Sequence, residues 1–140
     1  MSTKETGDKG ENLACEYFVK NGYKIIGRNH RIKFGEIDII ARKRWGLSKK
    51  NGKTIHFVEV KTSQGLHAGR SEVFSPEDRA NWKKKRKLKQ LAEIWLQANK
   101  YPQDIPYQID VIAVSINEAD SKAEGPDGGR IDFFENVVEA

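Results

Sequence analysis

At 140 residues, with 37% hydrophobic and 32% charged side chains, the chain suffices for one domain, residues 1–140, with a real core. No run approaches the roughly 20 apolar residues of a membrane span, and the opening Met1–Glu5 has no apolar signal segment. The single cysteine, Cys15, excludes an internal disulfide and a Cys-based zinc site, so a reducing, cytoplasmic setting is expected.

Lys and Arg exceed Asp and Glu by five, which permits a polyanionic partner and is equally compatible with a surface rich in lysine. Lys9 to Asn21 reads as a helix stopped by Gly22, where a left-handed residue ends helices. Leu13, Ala14, Tyr17 and Phe18 form its apolar stripe. Glu11 falls on the edge of that stripe, toward the core or a site, and Glu16 on the opposite side. The plainer account of Glu11 is an acid favoured in the first helical turn. Tyr23–Arg28 is a short strand candidate, and Arg28-Asn29-His30-Arg31 reads as a basic turn.

Phe34–Ala41 and Thr54–Thr62 are strand-like runs rich in β-branched and aromatic residues. Side chains alternate faces along a strand, so Glu36 shares a face with Asp38, and Glu59 with Lys61. Acids on such apolar strands call for a partner or a metal. Asp38, Glu59 and Lys61 together would make a small acidic pocket with a cation beside it, which suits Mg²⁺ and a phosphate. The connector Arg42–Lys53 carries Trp45 and the turn dipeptide Asn51-Gly52, and reads as a solvated hairpin loop or, less simply, a basic finger.

Ser63–Phe74 is a long polar segment. Ser75, Pro76, Glu77 and Asp78 then announce a helix reaching about Asn99. Leu88, Leu91, Ala92, Trp95 and Leu96 are its buried stripe. Its first half bears Arg79, Lys83, Lys84, Lys85, Arg86, Lys87 and Lys89, a solvated or phosphate-facing surface. Lys84 continues the stripe and should look inward along its stem. Tyr107–Ser115 is a further strand, with Asp110 in a structural pairing to Arg or Lys or in support of a site. Ile131–Val138 closes the chain as a β-rich run. The three histidines, His30, His56 and His67, show no ligand spacing. The order implies a three-strand meander, a helical crossover and a strand returning parallel: an α/β mixed sheet flanked by helices.

A helix with Glu, a strand with Asp and a strand with Glu-x-Lys, in that order, resemble the restriction-endonuclease-like PD-(D/E)xK nucleases. Within them the chain is similar to the bacterial YraN (UPF0102) family of endonuclease-like proteins, themselves similar to archaeal Holliday-junction resolvases. The resemblance rests on Gly7-x-x-Gly10-Glu11-x-x-Ala14, Gly22-Tyr23-x-Ile25 and Arg28-Asn29-x-Arg31. It extends through Gly35-Glu36-Ile37-Asp38-Ile39-Ile40-Ala41, Phe57-Val58-Glu59-Val60-Lys61-Thr62, Lys84-x-x-x-Leu88 and Ile109-Asp110-Val111. Ile37 stands where proline would be usual, and the segments Arg42–Lys53 and Ser63–Ser75 look longer than typical.

The resemblance implies an αβββαβ restriction-endonuclease-like core and an endonuclease cleaving DNA, with branched or structured DNA as the natural candidate. Glu11, Asp38, Glu59 and Lys61 would be catalytic. Asp38 and Glu59 would hold Mg²⁺ or Mn²⁺, and Lys61 would orient the attacking water. Glu36 and Lys84 rank behind them. Arg28, Arg31, Lys83, Lys84, Arg86 and Lys87 would grip phosphates without reading sequence. No membrane partner is expected, and the likeness to dimeric resolvases leaves a homodimer open. The rival readings are a non-catalytic nucleic-acid-binding module on the same fold and a protein-interaction adaptor whose acids form structural ion pairs.

Overall fold

The computed structural model describes residues 3–33, 35–44, 53–64, 87–116 and 129–138. It contains helix α1 (Thr3–Lys20), strands β1 (Tyr23–Ile32), β2 (Gly35–Lys43) and β3 (Ile55–Gln64), helix α2 (Lys87–Ala98), and strands β4 (Tyr107–Ile116) and β5 (Gly129–Phe134). The five strands lie in chain order in one sheet. β1, β2 and β3 pair antiparallel, β3 and β4 run parallel, and β5 returns antiparallel to β4. This is the α/β mixed sheet flanked by helices that the order of elements implied, with β5 added at the edge. Only β3 to β4 needs a long crossover, because a parallel neighbour cannot be reached by a tight turn.

Each helix covers one face of the sheet. Leu13, Ala14 and Phe18 of α1 pack with Ile39, Val58, Ile112 and Val114, and Leu88, Leu91 and Trp95 of α2 pack with Ile37, Ile40, Phe57 and Ile109. Phe18 and Phe57 have no exposed surface, and burying each such ring contributes about 1.5–3 kcal/mol. Phe18 meets Tyr23 and Phe133 edge to face, with centroids 5.0 and 5.1 Å apart, a geometry favoured by the ring quadrupole. The apolar stripe of α1 therefore faces inward as its spacing required.

Gly22, with φ of 84°, ends α1 as expected, and Asn21 donates from both its backbone and side chain to the Tyr17 carbonyl. The other end differs: α1 starts six residues before Lys9, so Glu11 sits in its middle rather than its first turn. The dipole account of Glu11 therefore fails. The residues from Thr3 to Asp8 have no apolar repeat to announce them.

The segment Arg28–Arg31 is strand, not turn. It pairs with β2, Arg28 opposite Ile39 and Arg31 opposite Glu36. Polar side chains are tolerated there because β1 is an edge of the sheet, and only the left-handed Asn29, φ 49°, marks the turn-like composition. At the far end, Val137 and Val138 are buried but follow β5 rather than extend it. The Val137 amide donates instead to the Ile109 carbonyl at 2.8 Å.

α1 approaches β3 closely at Gly10. A methyl on Gly10 would stand 2.0 Å from Thr62 Oγ1 and 2.8 Å from its Cβ. Threonine is stiff at χ1 and cannot swing clear. Gly10→Ala is therefore expected to lose about 1–3 kcal/mol of stability by chemical denaturation, despite alanine's better helix propensity. Pairing it with Thr62→Ala should recover part of that loss, which a double-mutant cycle measures.

Candidate metal and active-site cleft

The pairing of β2 with β3 covers Ile39–Ala41 against Val58–His56. Toward the start of β2 the carboxylate of Asp38 takes over, and its Oδ2 accepts the Val60 amide at 2.9 Å. A side chain thus bridges the two strands where backbone pairing stops. Period-two alternation also slips here: Ile37 and Ile40 pack on the α2 side, while Ile39 and Ala41 pack on the α1 side.

Beside Asp38 opens a cleft of about 650 Å³, lined by residues of α1, β1, β2 and β3. Asp8 and Glu11 come from α1, Asn29 and Arg31 from β1, Glu36 and Asp38 from β2, and Val60 and Thr62 from β3, with Lys4, Thr6 and Gly7 at the helix start. Glu11 is 7% exposed. Its Oε1 is buried and accepts no hydrogen bond among the described residues. The nearest cation, Arg28, has its Nε 3.8 Å from that oxygen, beyond hydrogen-bond range.

Burial raises the pKa of Glu11. Arg28 opposes the shift, and Asp38, Glu36 and Asp8 add to it by repulsion. Asp38 is raised in the same way by burial, opposed by the Val60 amide and reinforced by Glu36. A carboxyl whose pKa is raised by folding adds stability below its unfolded value and loses it as pH rises through the folded value. At neutral pH these charges work against the fold. Glu11→Gln should therefore melt higher than wild type at pH 7 in EDTA, and the difference should close as the pH falls through the carboxylate range. Thermal unfolding over a pH series checks this; a lower melting point at pH 7 contradicts it.

The expected residues divide between two places. Glu11, Glu36 and Asp38 share the cleft, and Arg31, with a side chain 84% exposed, lines it 3.7 Å from Glu36. Glu59 and Lys61 do not line it. They flank Val60, but β3 presents Val58 and Val60 to the α1 side and Phe57 to the α2 side. Alternation sends Glu59 and Lys61 with Phe57, and both are half-buried and have partners. The single pocket of Asp38, Glu59 and Lys61 read from the strands is thus not what the sheet forms on the α1 side. The phase of β3 relative to the two helices decides it. Arg28 is turned to α1, its Nη2 donating to Asn12 Oδ1 at 2.7 Å. Lys87 begins α2 above the start of β2, its Cε 3.4 Å from where a Gly35 methyl would lie. Lys83, Lys84, Arg86 and Trp45 lie outside the described residues.

A second cluster was not legible in the sequence. His56 Nδ1 and Asp110 Oδ2 are 2.6 Å apart and both residues are buried. Asp110 Oδ1 accepts from Gln108 Nε2 and from the Asn136 amide, each at 2.8 Å. The expected Arg or Lys partner of Asp110 is replaced by histidine. Glu135 completes an acidic group with ligand atoms within 4.8 Å of one another, a set that could hold a metal. The pairing of β3 with β4 brings His56 to Asp110 across 54 residues, which no spacing rule anticipates.

The model of the uncharacterised protein family UPF0102 matches residues 10–114. A UPF0102 protein of Caldicellulosiruptor saccharolyticus is 40% identical over 117 residues, 84% of this chain and 87% of that one. One from Thermotoga petrophila is 36% identical over 129 residues, covering 92% and 93%. Among solved structures, Pyrococcus furiosus SfsA in complex with Ca²⁺ aligns over 99% of this chain and 66% of that one, at 13% identity and a TM-score of 0.29; a fit that loose carries no argument. No described helix is long and apolar enough to cross a membrane. The family match begins at the glycine that lets α1 onto β3, spans Glu11 and Asp38, and ends inside β4, so this chain belongs to the UPF0102 family.

Proposed function

We propose that the cleft serves a metal-dependent nuclease that hydrolyses phosphodiester bonds in DNA. The observation that carries this reading is Glu11, buried with an oxygen that accepts no hydrogen bond among the described residues, in the lining of a cleft that also holds Glu36 and Asp38. Burying the Glu11 carboxylate without a hydrogen bond to its Oε1, near the like charges of Asp38 and Glu36, is costly, and hard divalent cations take such oxygen donors. Carboxylate oxygens are donors of the kind that Mg²⁺ or Mn²⁺ takes. Asp38 and Glu11 would hold the ion from the cleft side. When bound, the ion supplies charge neutralisation at the phosphate and lowers the pKa of a coordinated water. Asp38, fixed by the Val60 amide, keeps its other oxygen in a set direction. Lys61 would orient the nucleophile or the developing charge. Arg31, exposed at the rim, would take a backbone phosphate, and Lys87 with the basic residues before it would extend that grip.

The test is a cleavage screen of purified protein on branched, flapped, duplex and single-stranded DNA with Mg²⁺ or Mn²⁺. Metal-dependent cleavage of at least one substrate is expected; none with any would end the enzyme reading. One observation favours a second reading, a nucleic-acid-binding module without catalysis: Glu59 and Lys61 do not line the cleft that holds Asp38. Calorimetric Mn²⁺ titration separates them. The enzyme requires binding that is lost in Asp38→Asn, whereas the module binds DNA with no such metal site.

A further inference from the structure

We propose that Arg28 is a positioning residue for Glu11 rather than a contact for nucleic acid, a proposal that rests on the metal-site reading of the cleft. Arg28 and Arg31 are both basic, three apart on β1, and nothing in their sequence separates their roles. Their surroundings do. Arg31 lines the cleft with a side chain 84% exposed. Arg28 does not line it; its side chain is 41% exposed and reaches the flank of α1.

There the guanidinium uses two of its nitrogens on consecutive helical residues. Nη2 donates to Asn12 Oδ1 at 2.7 Å, and Nε stands 3.8 Å from Glu11 Oε1. Asn12 is exposed and has no part in the core. The hydrogen bond to it is short enough to fix the guanidinium plane. With the plane fixed, Nε is held beside the buried Oε1 of Glu11, which accepts no hydrogen bond among the described residues. At 3.8 Å the arginine attracts that buried oxygen from the helix flank, which sets the direction of the carboxylate that Glu11 brings to the cleft. A planar, multi-donor group can do this from one anchored position; a lysine ammonium, a single point on a flexible stem, cannot hold both partners. Side chains that orient a metal ligand typically control affinity or activity by about 10–100-fold when removed.

The experiment compares wild type, Arg28→Met, Arg28→Lys and Asn12→Ala by Mn²⁺ calorimetry and by DNA binding over a salt series without divalent metal. If Arg28 acts as an anchor, Arg28→Met lowers Mn²⁺ affinity about tenfold. Asn12→Ala lowers it in the same direction without changing any charge, and Arg28→Lys does not restore it. The salt slope of DNA binding stays at the wild-type value. A merely structural role would not produce the Asn12→Ala effect on metal affinity, because Asn12 is exposed. Two results overturn the proposal. Tighter Mn²⁺ binding in Arg28→Met, with Asn12→Ala unchanged, would make Arg28 only a repelling charge. Unchanged Mn²⁺ binding with a salt slope reduced by about one would make it a phosphate contact. Should Arg28→Met fail to fold, Asn12→Ala decides alone. Wild type that binds no Mn²⁺ sinks the metal-site reading itself, an outcome distinct from wild-type binding that the variants leave unaltered.

Discussion

Asp38→Asn is expected to abolish Mg²⁺- or Mn²⁺-dependent DNA cleavage, by about a thousandfold or more, while the protein remains folded. The magnitude follows from losing several kcal/mol of charge stabilisation at a metal ligand, at 1.36 kcal/mol per tenfold in rate. The survival of the fold follows from geometry. The structural task of Asp38 is to accept the Val60 amide at 2.9 Å, and an asparagine carbonyl oxygen accepts it equally well. Asp38→Ala would remove that acceptor and mix a folding defect with a chemical one. Because burial raises the pKa of Asp38, the neutral amide should also leave the metal-free protein at least as stable at pH 7. The check is a single-turnover cleavage assay beside a melting curve. Lys61→Ala should lose cleavage too. Its assay carries extra information, since alternation places Lys61 on the α2 side of β3 while Asp38 lines the cleft on the α1 side. Full activity in Lys61→Ala would confine the chemistry to the α1 cleft.

The second large effect is on stability. Asp110→Ala is expected to cost about 3–5 kcal/mol, the range for removing one partner of a buried polar pair. Asp110 has no exposed surface and three hydrogen-bond partners: the ring of His56 at 2.6 Å, Gln108 Nε2 at 2.8 Å and the Asn136 amide at 2.8 Å. Truncation leaves His56, itself 2% exposed, without its partner, and buried polar groups left unpaired are penalised in full. It also frees the segment after β5, whose Val137 is the next residue to bond β4. Urea denaturation should show the loss, and hydrogen exchange should show Asn136 and Val137 losing protection first. Asp110→Asn, which keeps an acceptor for Gln108 and Asn136, should cost clearly less.

Much of the architecture was legible because it is written in local periodicity. Leu88, Leu91, Ala92, Trp95 and Leu96 repeat at helical spacing, and all five are buried in α2. Gly22 follows the last turn of α1, and its φ of 84° is the conformation that glycine tolerates. The parallel return of β4 onto β3 follows from a crossover too long for a hairpin. Where local signals were weak or misleading, the reading slipped. The start of α1 carries Gly7 and charged residues, with no apolar repeat to mark it. Arg28–Arg31 has turn chemistry, but an edge strand accepts polar side chains because only one of its backbone sides is paired.

The site was legible in part. Asp38 was singled out by its strand context and Glu11 by the family resemblance, helical phase having only set it at the edge of the apolar stripe; the two line one cleft. The separation of Glu59 and Lys61 from that cleft, the anchoring of Arg28 on Asn12 and the pairing of His56 with Asp110 were not. By itself the sequence determined where the apolar helices and strands would lie, though not all of their ends, which of their faces were apolar, and which acids sat where an apolar face would not want them. Only the tertiary structure decided which acids meet. Strand alternation settles that Glu59 and Lys61 share a side, but which helix covers that side depends on packing between segments far apart in the chain, and that choice is made by the whole core at once.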